Sequence, residues 1–501
     1  MYYSNPLIRR QFLKTLSWSL PTILCPGCRQ SVIGSKKEER RRPNILFIYT
    51  DDQAPWALGA SGNLQAQTPN MDRLAQEGAY LVNSFTTTPV CSPSRASLLT
   101  SRYGSELGIT DFIPPKGHRL YTPGIGLDPQ TVTFPEFLAE AGYVNGLIGK
   151  WHVGEMDGVH PTRMGYHEFM GFRGGGISPS DPTLEKDGIE QKFQGLTTDI
   201  LTDHAIDFLT RHKDESFLLS LHYRAPHKQW LPVSEEDWEF YKNLDAEIPN
   251  PDYPDLDVPK MKQWMCEYLA SVAGIDRNLG RILQTLDQLK LSRNTVIIFS
   301  SDNGYNMAHN GIWHKGNGMR ATKESSWPPA TKNINSKYRP NMYDNSLRIP
   351  TMVRWPGRIK PGRVITQTIS NLDWYPTILA MCDVELPENE IIRGHNFLPL
   401  LRGKRLHWDN DLYAEYSMQH YCRADMRMYR TPNWKLIRDF LNPERDELYN
   451  LKSDPQETTN LIESPDSTIK AVIADLHENI LRRMREIDDP ILDCAESNRL
   501  D

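Results

Sequence analysis

Apolar positions in this chain come in two textures. In the first, unbroken apolar runs alternate with helical periodicities. Asn44-Ile45-Leu46-Phe47-Ile48-Tyr49 is such a run, and it stops at Thr50-Asp51-Asp52-Gln53. A strand buried on both faces reads this way when polar residues stand at its carboxyl end. Thr295-Val296-Ile297-Ile298-Phe299-Ser300-Ser301 repeats the grammar and runs into Asp302-Asn303-Gly304. Further strands are predicted at Tyr143 to Ile148 and Phe217 to His222. Helices are predicted at Asn70 to Glu77, before Gly78, and at Phe134 to Ala141, before Gly142. Strands alternating with helices predict an α/β fold: a large mixed, mainly parallel sheet sandwiched by helices, with its site at the carboxyl ends of the strands.

The second texture begins after Arg402. Short strands are predicted at Leu412 to Tyr416, Met426 to Arg430, Trp434 to Ile437 and Glu447 to Leu451. A last helix carries Ile469, Val472, Leu476, Ile480, Met484 and Ile487 at three- and four-residue spacing. We therefore expect a main domain over 43–402 and a smaller C-terminal α+β subdomain with an antiparallel sheet over 403–501. Ahead of both, Arg9-Arg10-Gln11-Phe12-Leu13-Lys14 precedes a short apolar stretch from Leu16 to Leu24. Residues 1–33 read as an export signal of the twin-arginine type, and 34–42 as a charged linker. The expected location is exported, periplasmic or extracellular. Cys25 and Cys28 match a lipid-attachment site poorly, and no apolar run reaches the length of a transmembrane segment.

Charge and cysteines narrow the chemistry. A net charge of -6 over 501 residues provides no global basic field. That argues against a nucleic-acid partner and leaves any anionic substrate to a local cluster. Beyond the leader stand Cys91, Cys266, Cys382, Cys422 and Cys494 at irregular spacings, which excludes a zinc ribbon or a disulfide framework. If Cys91 is chemically modified, the other four are free thiols or form one or two bridges.

Asp51, Asp52, Asp302 and Asn303 offer hard oxygen ligands at two strand ends, without a His or Cys cluster beside them. A bound ion is then Ca²⁺ or Mg²⁺ rather than zinc. Cys91-Ser92-Pro93-Ser94-Arg95, continuing through Leu98-Leu99-Thr100 to Ser101-Arg102, puts a nucleophile at the head of a helix with a cation four residues on. Pro93 suits a first helical turn.

The string Cys-x-Pro-Ser-Arg-x-x-Leu-Leu-Thr resembles the signature of the sulfatase family. In that family the Cys is oxidised after synthesis to formylglycine, whose hydrated aldehyde attacks sulfate esters. Ser101 departs from it, standing where the family usually has Gly. The resemblance implies that Asp51, Asp52, Asp302 and Asn303 bind one divalent ion together with position 91. It also implies that Lys150 and His152, in Gly149-Lys150-Trp151-His152-Val153-Gly154, contact formylglycine and sulfate. His227, in Arg224-Ala225-Pro226-His227, would reach the sulfate or leaving oxygen, with Arg224 beside the substrate. The family's His-Gly-x-x-x-Lys-Gly segment matches His309-Asn310-Gly311 through Lys315-Gly316, with Asn310 where His is common. His309 is a candidate substrate contact. Lys315 is the better match to the active-site cation, and Arg339 competes. The Glu447-to-Leu461 pattern resembles the sulfatase C-terminal subdomain.

The implied activity is hydrolysis of a sulfate ester, most readily of a sulfated carbohydrate, by Cys91 as formylglycine with Arg95, Lys150, His152, His227 and Lys315. A formylglycine-generating maturation enzyme is the implied protein partner. Rival readings are a phosphomonoester or phosphonate ester hydrolase of the same superfamily, a non-catalytic binder of sulfated glycans, and a thiol hydrolase using Cys91 and His152. A long insert from Gly318 to Pro340 carries Arg320, Lys323, Lys332, Lys337 and Arg339 against Glu324, and also Trp327. We expect it to cover the mouth of the site, with Trp327 stacking on a sugar ring.

Overall fold

The computed structural model describes residues 42–497. The expected leader, and the linker except for Arg42, lie outside the described residues. Ten strands form one sheet in the order Arg363–Ile365, Ala79–Leu81, Met352–Arg354, Thr295–Ser301, Asn44–Thr50, Phe217–His222, Val144–Lys150, Glu168–Phe172, Thr183–Lys186 and Ile189–Lys192. The five strands from Thr295–Ser301 to Glu168–Phe172 run parallel to one another. Antiparallel pairings lie on the flanks. Asn44 stands opposite Thr295 and Thr50 opposite Ser301. The two runs that read alike in sequence are thus direct neighbours, and their acids emerge side by side.

Both faces of the sheet are covered, as side chains alternating along a strand require. Leu46 and Ile48 enter a core with the helices Pro69–Glu77, Thr197–Arg211 and Val258–Gln288. Ile45, Phe47 and Tyr49 point the other way, toward Cys91–Thr100, Phe134–Glu140 and Trp374–Met381. The 31-residue Val258–Gln288 helix was not predicted by the alternation of short elements. The strand expected at Tyr143 to Ile148 instead runs from Val144 through Lys150. Gly149 lets it continue, because its φ is +113° and a Cβ there would stand 1.9 Å from the His222 carbonyl oxygen.

The four C-terminal strands, Leu412–Met418, Ala424–Arg430, Trp434–Asp439 and Glu447–Asn450, pair antiparallel in chain order. One face of this sheet packs on the Ser467–Glu486 helix through Leu476, Ile480 and Met484. Its other face joins Phe85, Val90, Tyr343 and Leu347, so it braces the chain just ahead of Cys91.

Ser101 caps the Cys91–Thr100 helix at φ +57°, a left-handed conformation that explains the family's glycine there. Its hydroxyl donates to the Leu372 carbonyl at 2.8 Å and accepts from the Gly394 amide at 2.9 Å, which offsets the strain. Cys91, Cys266, Cys382 and Cys422 are buried free thiols. Among the described residues no helix is long and apolar enough to cross a membrane.

Candidate active site

Two strand ends and one helix start build the site. Beyond Thr50 the chain turns through Asp52 at φ +71°, which aims its amide at Asp302 Oδ1, 3.1 Å away. Asn303 Nδ2 donates to Asp52 Oδ1 at 2.8 Å, so the two acidic strand ends are tied to each other. Arg95, one helical turn after Cys91, points inward under the helix. Its Nε donates to Asp302 Oδ2 at 2.9 Å, and its guanidinium lies over the Tyr49 ring. Ser94 Oγ donates to the Asp302 carbonyl. The Cys-x-Pro-Ser-Arg string is therefore bound along its inner side to the carboxyl end of the Thr295–Ser301 strand.

Around Cys91 the charges alternate. Lys315 Nζ lies 2.8 Å from Cys91 Sγ and also pairs with Asp52 Oδ1. Asp51 Oδ1 lies 3.5 Å from the same sulfur, and Asp51 Oδ2 pairs with Lys150 Nζ at 2.7 Å. Three carboxylates and three cations are fully or almost fully buried here. Burial alone would raise Asp51, but Lys150 holds it well below the usual carboxylate range. Burial likewise works against a charged Lys315, yet Asp52 keeps it well above the usual lysine value. Burial pushes the Cys91 thiol up to about 12, which disfavours the thiolate of the thiol-hydrolase reading.

The polar accounting has gaps at this spot. Asp52 Oδ2 and Asn303 Oδ1 are buried acceptors with no partner, and such groups are costly to leave unpaired. Cys91, Asp51 and Asp302 converge closely enough to hold one ion, as do Asp51, Asp52 and His227. Hard oxygens with two unused acceptors fit a divalent cation, and a 2+ charge would turn a balanced cluster into one that attracts an anion.

The histidines are fixed by carbonyls. His152, at φ +59°, donates from Nε2 to the Ile113 carbonyl at 2.9 Å, so its buried, unpartnered Nδ1 carries the lone pair. Burial and the nearby Lys150 keep this ring neutral. Gly175 backs it, because a Cβ there would stand 2.6 Å from His152 Nε2. His227 Nδ1 donates to the Lys228 carbonyl at 2.6 Å, leaving Nε2 to face Asp52 Oδ2 at 4.0 Å. Burial lowers His227 to about 4.

A cavity of about 250 Å³ opens onto this cluster, and Cys91, His152, His227, His314 and Lys315 line it. Lys150 and Arg95 lie behind that surface. Four residues expected at the substrate do not line the cavity. Arg224 is spent on the carbonyls of Ile177 and Gln229. Arg339 bonds the Asn310 carbonyl and the hydroxyls of Tyr253 and Tyr343. His309 packs edge-on against Tyr343, and Trp327 donates its indole N–H to the Thr322 carbonyl. Asn310, standing at the family's His position, donates to the carbonyls of Gln456 and Glu457 and so anchors the C-terminal subdomain. Of the two competing cations, Lys315 is the one at Cys91. Sequence reasoning passed over His314, although it precedes Lys315 directly, and His222, whose Nδ1 lies 3.1 Å from the Lys150 carbonyl.

Comparison with known proteins bears on this geometry. The family profile described as Sulfatase matches residues 43–384. The chain belongs to the sulfatase family. It is a sulfuric ester hydrolase by that membership, and a second profile, N-sulphoglucosamine sulphohydrolase C-terminal, matches residues 338–486. The sulfatase fold extends over nearly the whole described chain. A solved structure of BT4656 in complex with its substrate D-glucosamine-2-N,6-O-disulfate superposes with a TM-score of 0.75 at 25% identity, covering 90% of this chain and 99% of that one. An N-acetylglucosamine-6-O-sulfatase of Bacteroides thetaiotaomicron is 28% identical over 86% of this chain and 84% of its own length. A steryl-sulfatase of Rattus norvegicus is 28% identical over 76% of this chain and 73% of its own.

Proposed function

We propose that this sulfatase removes a 6-O-sulfate from an amino sugar or a glycan that carries one. The observation that carries the reading is Cys91 held between Lys315 and Asp51 at the floor of a cavity large enough for one sugar ring. The N-acetylglucosamine-6-O-sulfatase and the amino-sugar complex among the similar proteins support the substrate class. Asp51, Asp52, Asp302 and Asn303 would hold a divalent cation, Ca²⁺ or Mg²⁺, with position 91. When present, the ion supplies Lewis-acid polarisation of sulfate, and formylglycine at 91 supplies the oxygen nucleophile.

The chain's own residues do the rest. Lys315 stays charged, neutralises sulfate beside position 91 and offers N–H donors toward the leaving oxygen. His227, which lines the same cavity, faces that oxygen as well. His152 Nδ1, bare and neutral, takes a proton near position 91. Lys150 and Arg95 hold Asp51 and Asp302 in place from behind. The twin-arginine-like leader supports export of the mature enzyme to the periplasm or beyond.

Two measurements test the reading. Peptide mass spectrometry of active enzyme should find formylglycine at 91, and Cys91→Ala should lose turnover by about 10⁵-fold while staying folded. A panel of defined sulfates should be led by N-acetylglucosamine 6-sulfate. Preference for steryl sulfate, or full activity with an unmodified thiol at 91, would overturn it.

A further inference from the structure

The cavity has a second kind of lining besides its charged and histidine groups. Besides Lys315 and His227 it is lined by Phe112, Met319 and Tyr421, which are apolar or aromatic. Tyr421 is the middle rung of a ladder. Its ring is near-parallel to Phe112 (centroids 5.6 Å apart, planes at 26°) and to Tyr338 (5.2 Å, 4°). At these separations the stacks are offset, so parts of each face stay uncovered.

The rungs come from three distant parts of the chain. Phe112 follows the Cys91 helix, Tyr338 belongs to the 318–340 insert, and Tyr421 sits in the turn between two C-terminal strands. Short bonds lock the three together. The Gln419 amide donates to Asp111 Oδ2 at 2.8 Å, and His420 Nε2 donates to the Phe112 carbonyl at 2.8 Å. The Arg423 amide donates to the Asn333 carbonyl at 2.9 Å, and Met319 bridges Tyr338 backbone to backbone. Such a surface is preorganised, so little ordering cost falls on a ligand.

We propose that Tyr421, held by Phe112 and Tyr338, is the specificity-determining platform of this enzyme. It receives the apolar C–H face of the pyranose whose sulfate ester lies against Lys315. This role for Tyr421 rests on the carbohydrate reading above and adds to it. One small cavity is lined both by groups that suit an anion and by apolar and aromatic side chains, so its occupant carries both an anion and an apolar face, joined directly. The insert thus acts through Met319 and Tyr338, not through Trp327 or its exposed lysines. The platform also couples the C-terminal subdomain to substrate choice.

The test is calorimetric binding to full-length Cys91→Ser protein in Ca²⁺, with N-acetylglucosamine 6-sulfate and inorganic sulfate as ligands. Tyr421→Ala should weaken the sugar sulfate about tenfold and leave inorganic sulfate within about twofold. Tyr421→Phe should bind like the parent, because the ring and not the hydroxyl acts, and Trp327→Ala should change neither ligand. Phe112→Leu, which keeps an apolar side chain but removes a rung, guards against misfolding of the alanine variant and should weaken only the sugar. Equal weakening of both ligands, or no weakening of the sugar, would overturn the platform. Tighter binding of a steryl sulfate that also depends on Tyr421 would overturn the pyranose assignment. Failure of the turnover panel with a Tyr421-dependent sugar affinity intact would overturn the catalytic reading alone.

Discussion

This molecule buries two ionic clusters made from the same kinds of residue, and they differ in whether the accounting closes. At the carboxyl ends of the central strands, Asp51, Asp52 and Asp302 face Arg95, Lys150 and Lys315, with Asp52 Oδ2 and Asn303 Oδ1 left without partners. Under the C-terminal sheet, Asp344 Oδ1 accepts from Arg430 Nε and Lys435 Nζ, and its Oδ2 from Arg430 Nη2. Glu457 takes Lys435 Nζ on one oxygen and the Asp344 amide on the other. No acceptor of that second cluster is unpaired. Burial would raise Asp344, yet Arg430 and Lys435 hold it far below the usual range. A closed network of this kind is a staple between the insert's end and the small sheet. An open one, with spare acceptors beside a cavity, is a place where an ion and a substrate complete the structure. Buried charge alone therefore does not mark a functional site; here it is spare acceptors beside charged groups at a cavity that do.

The largest expected effect tests the open cluster. Chelation should abolish turnover, and Ca²⁺ or Mg²⁺ should restore it in the wild type. In Asp302→Ala, neither ion should recover activity, leaving a deficit of about 10³-fold in kcat/KM. Recovery with Zn²⁺ alone would mean that the donor set has been misread and that the contrast with the C-terminal cluster does not concern an oxygen-ligated cation.

Next in size is the closed cluster. Lys435→Met leaves buried Glu457 without a cation and Asp344 with Arg430 alone, and urea unfolding should reveal a loss of about 3–5 kcal/mol. Turnover by the folded fraction should stay unchanged. A loss of activity without a loss of stability would break the distinction between staple and site.

The smallest effect is one of pH. Glu415, on the Leu412–Met418 strand, accepts from the amide and hydroxyl of Ser105, and burial raises it to about 7. The folded state thus holds this proton more tightly than the unfolded chain, whose value lies near 4.5. Its contribution to stability is complete below pH 4.5 and is lost as the pH rises through 7. Glu415→Gln should flatten the stability profile across that window, by up to about 3 kcal/mol. An unchanged slope in thermal unfolding at several pH values would show that Glu415 ionises normally in the folded state.

Local chemistry determined a good deal of this protein from the sequence alone. Continuous apolar runs ending in acids read as strands buried on both faces; that the two lie adjacent, with Asn44 opposite Thr295, came from the tertiary structure. Cys91 and Arg95, one helical turn apart, needed no tertiary information. Asp51, Asp52, Asp302 and Asn303 stood out because strand ends are where α/β folds keep their chemistry. Which cations face the cavity was a different matter. Lys315 and Arg339 flank the same insert, and their separation in sequence does not say which one folds back onto Cys91. Arg339 is captured by nearby Tyr343 and by Asn310 and Tyr253 from other segments of the chain. Trp327 read as a sugar platform by its type and charged neighbours, whereas the rings that line the cavity are Phe112 and Tyr421, the latter stacked with Tyr338. Side-chain periodicity reports which face of an element is buried; it carries no information on how loops that are far apart in the chain meet, and that meeting brings Phe112, Met319 and Tyr421 to one cavity.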